Sequence, residues 1–179
     1  MRNFGFVAAI LLVLSALPAS AGLVGQPVTV DYLYPDQSTV YTGLGSGTVT
    51  GGGFTVNSFG QTNVTISDTQ ITIQDVFGSQ LDFLSATFNG YELIETGGSP
   101  ATITGFTVDG TTNVSGFDAS RVSFDGTHVF VNMQGLLPLN LQEVVLDLQF
   151  SGTSVPEPVS ARLVGLGLAA AGLVRRFKR

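Results

Sequence analysis

The 179-residue chain contains no cysteine and no tryptophan, a single histidine, and charged side chains at only 11% of its positions. Without cysteine there is no disulfide framework, no thiolate zinc site and no cysteine nucleophile. One histidine cannot build a histidine metal cage, and the missing tryptophan removes the largest aromatic platform for a flat ligand. Positive charge is scarcer still in the middle of the chain. Residues 22–153 hold twelve Asp and Glu against the lone Arg121, a net of −11. Such a body repels phosphate backbones, so nucleic acid is excluded as a partner. Every other basic residue, and every long apolar run, lies near one of the two ends.

Those ends read as addresses. Met1-Arg2-Asn3 is a short positive start, Phe6 to Leu14 an apolar run, and Pro18 a breaker. Ala19-Ser20-Ala21 then offers the small side chains that a signal peptidase accepts, which predicts cleavage before Gly22. At the other end, Val155-Pro156-Glu157-Pro158 is stiff and incompatible with a helix interior. Val159 to Val174 follows, long enough for about 24 Å of helix, slightly short of a hydrocarbon core. Arg162 sits near its outer end and can snorkel to the interface. Arg175, Arg176, Lys178 and Arg179 would hold the far end in the cytoplasm, leaving the body outside.

The order of proline-flanked glutamate, short Gly/Ala/Leu helix and Arg-rich terminus resembles the PEP-CTERM sorting signal of Gram-negative bacteria. The same tail is also described as the C-terminal domain of some ice-binding proteins. The resemblance implies processing by exosortase, a membrane cysteine protease-like transpeptidase, and delivery to the envelope or extracellular matrix. Arg162 departs from the usual uninterrupted apolar run. More loosely, Val30 to Asp36 and Gly116 to Val122 resemble globular regions of other PEP-CTERM proteins, and no biochemical activity comes with that likeness.

Between the addresses, residues 22–153 are rich in Thr, Val, Ile, Phe and Gly, which favours strands. Period-two alternation recurs at Val28–Tyr32, Val64–Ser67, Ile71–Gln74 and Val144–Phe150, with turn signals every eight to twelve residues. About ten short strands are expected, enough for two packed sheets. Asp125-Gly126 suits a two-residue type I′ turn pairing Phe124 with Thr127, Ser123 with His128 and Val122 with Val129. That register puts Val122, Phe124, Val129 and Val131 inside, and Arg121, Ser123, His128 and Asn132 outside. Asn89-Gly90 predicts a second hairpin, Phe88 against Tyr91, and Asp68-Thr69 a third, joining Val64/Ile66 to Ile71/Ile73. Gly51-Gly52-Gly53 and Gly97-Gly98-Ser99-Pro100 read as loops.

Chemistry-bearing residues are few. Ser123, His128 and Asp125 fall together in the expected hairpin, but a solvated hairpin face offers neither cleft nor oxyanion hole, and Ser–His cross-strand pairing explains them. Glu92 and Glu95 are three apart on a strand, hence on opposite faces, and cannot act as paired carboxylates. Asp109, Asp118 and Asp125 stand in turn contexts, and no calcium-loop spacing is present. Thr48-Val49-Thr50 and Thr102-Ile103-Thr104 do not recur at a fixed period, and the sequons at Asn63 and Asn113 are incidental under a bacterial-type tail. Tyr32, Tyr34, Tyr41 and Tyr91 could face a sugar, and Tyr32 and Tyr34 share a face if the strand is regular.

The expected architecture is all-β, an antiparallel, jelly-roll-like β-sandwich at 22–153, flanked by a signal peptide (1–21) and a C-terminal transmembrane helix within the sorting segment (154–179). The expected function is that of an exported, non-enzymatic surface or extracellular-matrix protein, held transiently at the inner membrane and then at the cell surface or outside. Signal peptidase and an exosortase-type protease are its expected partners, with polysaccharide or matrix components beyond them. No catalytic residue, metal or cofactor is assigned. The alternatives are a carbohydrate-binding module with Tyr32 and Tyr34 facing the ligand, then a glycan-active hydrolase.

Overall fold

The computed structural model describes residues 22–97 and 102–151, inside a compact unit spanning Ser20–Thr153. The cleavage residues Ala19 and Ala21, the Val155–Pro158 motif and the basic Arg175, Arg176, Lys178 and Arg179 therefore lie outside the described residues, as does most of the loop at Gly97–Pro100.

Among the described residues there are ten strands, one short 3-10 turn at Ala119–Arg121, and no α-helix. The strands are β1 (Pro27–Leu33), β2 (Val40–Thr48), β3 (Phe54–Ser58), β4 (Thr62–Ile66) and β5 (Gln70–Asp75). They continue as β6 (Gly90–Glu95), β7 (Thr102–Val108), β8 (Val122–Phe124), β9 (His128–Asn132) and β10 (Glu143–Ser151). They form two five-stranded sheets, β2-β1-β6-β9-β8 and β3-β4-β5-β10-β7. All pairings are antiparallel. Neighbours in sequence pair within one sheet at β1–β2, β3–β4–β5 and β8–β9, whereas a jelly roll alternates most of its strands between sheets. The jelly-roll expectation gives way to this order.

Alternation is what builds the core. Val28 and Val30 on β1, Leu93 on β6, and Val129 and Val131 on β9 face one way. Val64, Ile66, Ile71, Ile73, Val144 and Leu146 of the second sheet meet them in one apolar layer. The Asp68-Thr69 turn has the expected register, with Val64 opposite Ile73, Ile66 opposite Ile71, and Ser67 N–H donating to Gln70 O at 2.8 Å.

Two expected hairpins differ. Val122 pairs with Val131, Ser123 with Phe130 and Phe124 with Val129, two residues away from the expected register. Asp125 Oδ1 accepts the N–H groups of both Thr127 and His128 at 2.8 Å, which moves the turn onto Gly126-Thr127. A two-residue shift preserves the faces, so Val122, Val129 and Val131 stay buried. Phe124, expected inside, ends the edge strand and is 39% exposed, its ring 5.8 Å from Phe106 of the opposite sheet. Asn89-Gly90 makes no hairpin. Gly90 instead begins β6 between β1 and β9, where a Cβ would collide with the Val131 carbonyl. Glycine serves close backbone approach there, not a turn.

The unit has two distinct ends. At one, Leu23 N–H and Leu148 N–H donate to Asp68 O and Thr69 O, so the start of the body and the end of β10 grip the same turn. At the other, the inward positions turn polar: Thr62 and Asp75 face each other across the β4–β5 ladder, and both are buried beside Ser58.

Candidate functional site

Above that polar end, sequence irregularities gather four aromatic rings. Tyr32 continues the inward Val28, Val30 alternation of β1 and pairs with Tyr91 of β6. On β2 the register slips twice, so that Tyr32 opposes Thr42, Leu33 opposes Val40, and Tyr41 is left without a ladder partner. A bulge of this kind re-aims the side chain it carries. Tyr41 accordingly stands 63% exposed, with its ring 6.1 Å from Tyr32 and 6.2 Å from Tyr34.

Phe59 arrives from the second sheet. It and Gly60 are the central residues of the β3–β4 turn, closed by Gln61 N–H to Ser58 O at 2.9 Å. Both carry positive φ, 56° and 72°, as a type I′ turn requires. For a bulky side chain the left-handed region costs on the order of 1–3 kcal/mol. The residue is nonetheless phenylalanine, 57% exposed, with its ring 5.6 Å from Tyr32 and 6.2 Å from Tyr41.

Tyr32, Tyr34, Tyr41 and Phe59 line a cleft of about 330 Å³ together with Asp82, Leu84 and Asn89. Asp82 is held in place by its neighbours: Leu81 N–H donates to Pro138 O and Phe83 N–H to Leu136 O, at 3.0 and 3.1 Å. Asn89 is buried; its amide donates to Leu84 O at 2.9 Å, and its Oδ1 accepts the Tyr32 hydroxyl. Burial pushes the Tyr32 phenol above its ordinary pKa, and the neighbouring Tyr34 and Tyr41 add to this. Beneath lies a smaller hollow of about 70 Å³ lined in part by Ser58, Thr62 and Tyr91. Burial raises the Tyr91 phenol far above its usual range, against hydrogen bonds with Thr62 and Ser58, so it stays protonated. Asp75, also buried, accepts Phe77 N–H through Oδ1 at 2.8 Å, while its Oδ2 has no hydrogen-bond partner among the described residues.

Of the residues singled out from sequence, Tyr32, Tyr34 and Tyr41 come together in the cleft, and Tyr91 packs 5.4 Å beneath Tyr32. Gly22 lies against Asp68, where a side chain at position 22 would collide with the carboxylate. Phe59, Asp82 and Asn89 went unrecognised. Ser58-Phe59-Gly60-Gln61 lacks the Asn or Asp that marks such a turn, and Asp82 depends on the course of a long loop.

The Ser123–His128–Asp125 grouping comes apart. Asp125 Oδ1 lies 2.9 Å from His128 Nδ1, but Ser123 pairs with Phe130, and its Oγ accepts Gln37 Nε2 at 3.3 Å. Glu92 and Glu95 point to opposite faces, Glu95 inward and buried. Asp36, Asp109 and Asp118 accept first the hydroxyls of Ser38, Thr111 and Ser120 and then backbone N–H groups of their own turns, and Asp125 accepts first the Thr127 backbone N–H, which lowers all four pKa values. Among the described residues, no three acidic or histidine side chains converge in a way that could hold a metal ion.

No family model matches the chain, and neither a curated protein nor a solved structure matches it.

Proposed function

We propose that the protein is an exported, non-enzymatic surface or extracellular-matrix protein of a Gram-negative envelope. In this reading, signal peptidase removes residues 1–21. A transmembrane helix within residues 154–179 then holds the chain at the inner membrane, and an exosortase-type protease releases it near Pro156-Glu157-Pro158. The observation that carries the reading is where the folded body starts and stops. Leu23, the second residue after the expected cleavage point, is already fully buried, and Gly22 is flush against Asp68. The last strand ends at Ser151, four positions before Val155. A body bounded so closely by the two address segments survives their removal without losing a strand. Its net charge of −11 would keep the released form soluble and separate from anionic surfaces.

Fractionation of cells expressing the wild type and Glu157→Ala tests this. The variant should accumulate at full length in the membrane fraction, while the wild type appears outside in shortened form. Equal release of both would reduce Val155–Pro158 to a linker before a plain anchor.

A further inference from the structure

The aromatic cleft stands apart from sorting, and its geometry is specific. A platform for a sugar ring presents one flat face. Here Tyr32, Tyr41 and Phe59 instead meet pairwise at 83°, 87° and 66°, with centroids 6.1, 5.6 and 6.2 Å apart. Such angles and spacings are those of edge-to-face contacts, so the rings turn different ways around the cleft and share no plane. A cation held in the cleft that these rings line would come within the roughly 6 Å reach of a cation–π contact. Tyr34 adds a fourth ring, 6.2 Å and 87° from Tyr41. Among the described residues, the only charged side chain lining the cleft is the carboxylate of Asp82. The body's single Arg121 is committed elsewhere, donating to the Gly116 and Gln134 carbonyls at 3.0 and 2.9 Å.

Two of the rings are also held by irregular backbone: Tyr41 at a bulge without a ladder partner, and Phe59 in the left-handed region. Strain of that kind, at an exposed aromatic residue, points to a use outside the fold itself. A turn needing only stability would carry asparagine at position 59.

From these observations we infer that the cleft binds a quaternary ammonium group, its methyls seated against Tyr32, Tyr41 and Phe59 and its charge balanced by Asp82. Aromatic rings attract such a cation through their negative faces, and a neutral group of the same shape gains only the apolar contact. The surrounding charge of −11 favours a free cation over a head carrying its own phosphate. The inference does not rest on the export reading, because release or retention of the chain leaves the cleft unchanged.

Calorimetric titration of the full chain in a polyoxyethylene detergent tests it, with choline chloride as the probe. Its neutral isostere 3,3-dimethyl-1-butanol, phosphocholine and glucose are the competitors. Choline should bind at least about tenfold more tightly than the isostere and more tightly than phosphocholine. Phe59→Asn should lose choline binding by about tenfold while melting no lower than the wild type, since asparagine tolerates the positive φ. Asp82→Asn should weaken choline and leave the isostere unaffected. Equal affinity for choline and the isostere would overturn the inference, leaving only an apolar groove. Saturable binding of glucose without choline, preference for phosphocholine, or no saturable choline binding at millimolar concentration would overturn it as well.

Discussion

Single aspartates do much of the local work in this fold. Asp125 Oδ1 receives the Thr127 and His128 N–H groups, and the carboxylate also meets the His128 ring. The Thr127 backbone bond first, then the His128 side chain, holds its pKa down at about 2. A carboxylate depressed in the folded state contributes stability that is complete above its unfolded value. That contribution drains away as pH falls from about 4 toward 2. Asp125→Ala should therefore cost roughly 1 kcal/mol at neutral pH, the usual worth of a lost side-chain cap on backbone N–H groups. The difference from wild type should shrink steadily in urea unfolding curves taken at successively lower pH below 4. A pH-independent difference would assign the effect to packing.

At the scale of elements, the central β1–β6 ladder carries a conflict. Asp31 and Glu92 are register partners on neighbouring strands. Burial raises both carboxyls, and for Glu92 the nearby His128 opposes this while Asp31 adds to it. With both pKa values raised, the folded state holds these protons more tightly than the unfolded chain does. The pair is then most costly at neutral pH and is relieved as pH falls through the folded values. Asp31→Thr should stabilise the protein by about 0.5 kcal/mol at pH 7, the scale of a like-charge pair across strands. The gain should vanish near pH 3, and melting curves at the two pH values would show it. The same ladders mark how far the sequence could be read. Ile66 opposite Ile71 followed from alternation and one turn, both local. The Asp125 hairpin was displaced because a side chain took the backbone donors that the simple turn assigns to the ladder. Gly90 resembled a turn residue, while its reason is the Val131 backbone, far away in sequence. Tyr32 was legible as an inward aromatic of a strand, whereas Tyr34 stands one residue past the end of β1 and reaches the cleft from the loop that follows. The rest of the cleft depends on slipped registers at Tyr41 and a strained turn at Phe59, which no periodicity announces.

At the scale of the whole unit, the chain enters and leaves at the end that holds the Asp68-Thr69 turn, and the aromatic cleft opens at the other. Between them β10 runs nine residues, about 30 Å of extended chain. Tension between a tether at Ser151 and a load at the cleft would therefore run parallel to the strands. Along that axis, the rungs on both flanks of β10 are strained together in shear; a pull across the sheet would open them one after another like a zipper. Single-molecule pulling between Ser151 and Thr39, at opposite ends, should give a clearly higher rupture force than pulling between Ser151 and Pro27, at the same end. Resistance to a pull between Ser151 and the cleft would thus follow from where β10 ends, separately from how stable the sheets are at equilibrium.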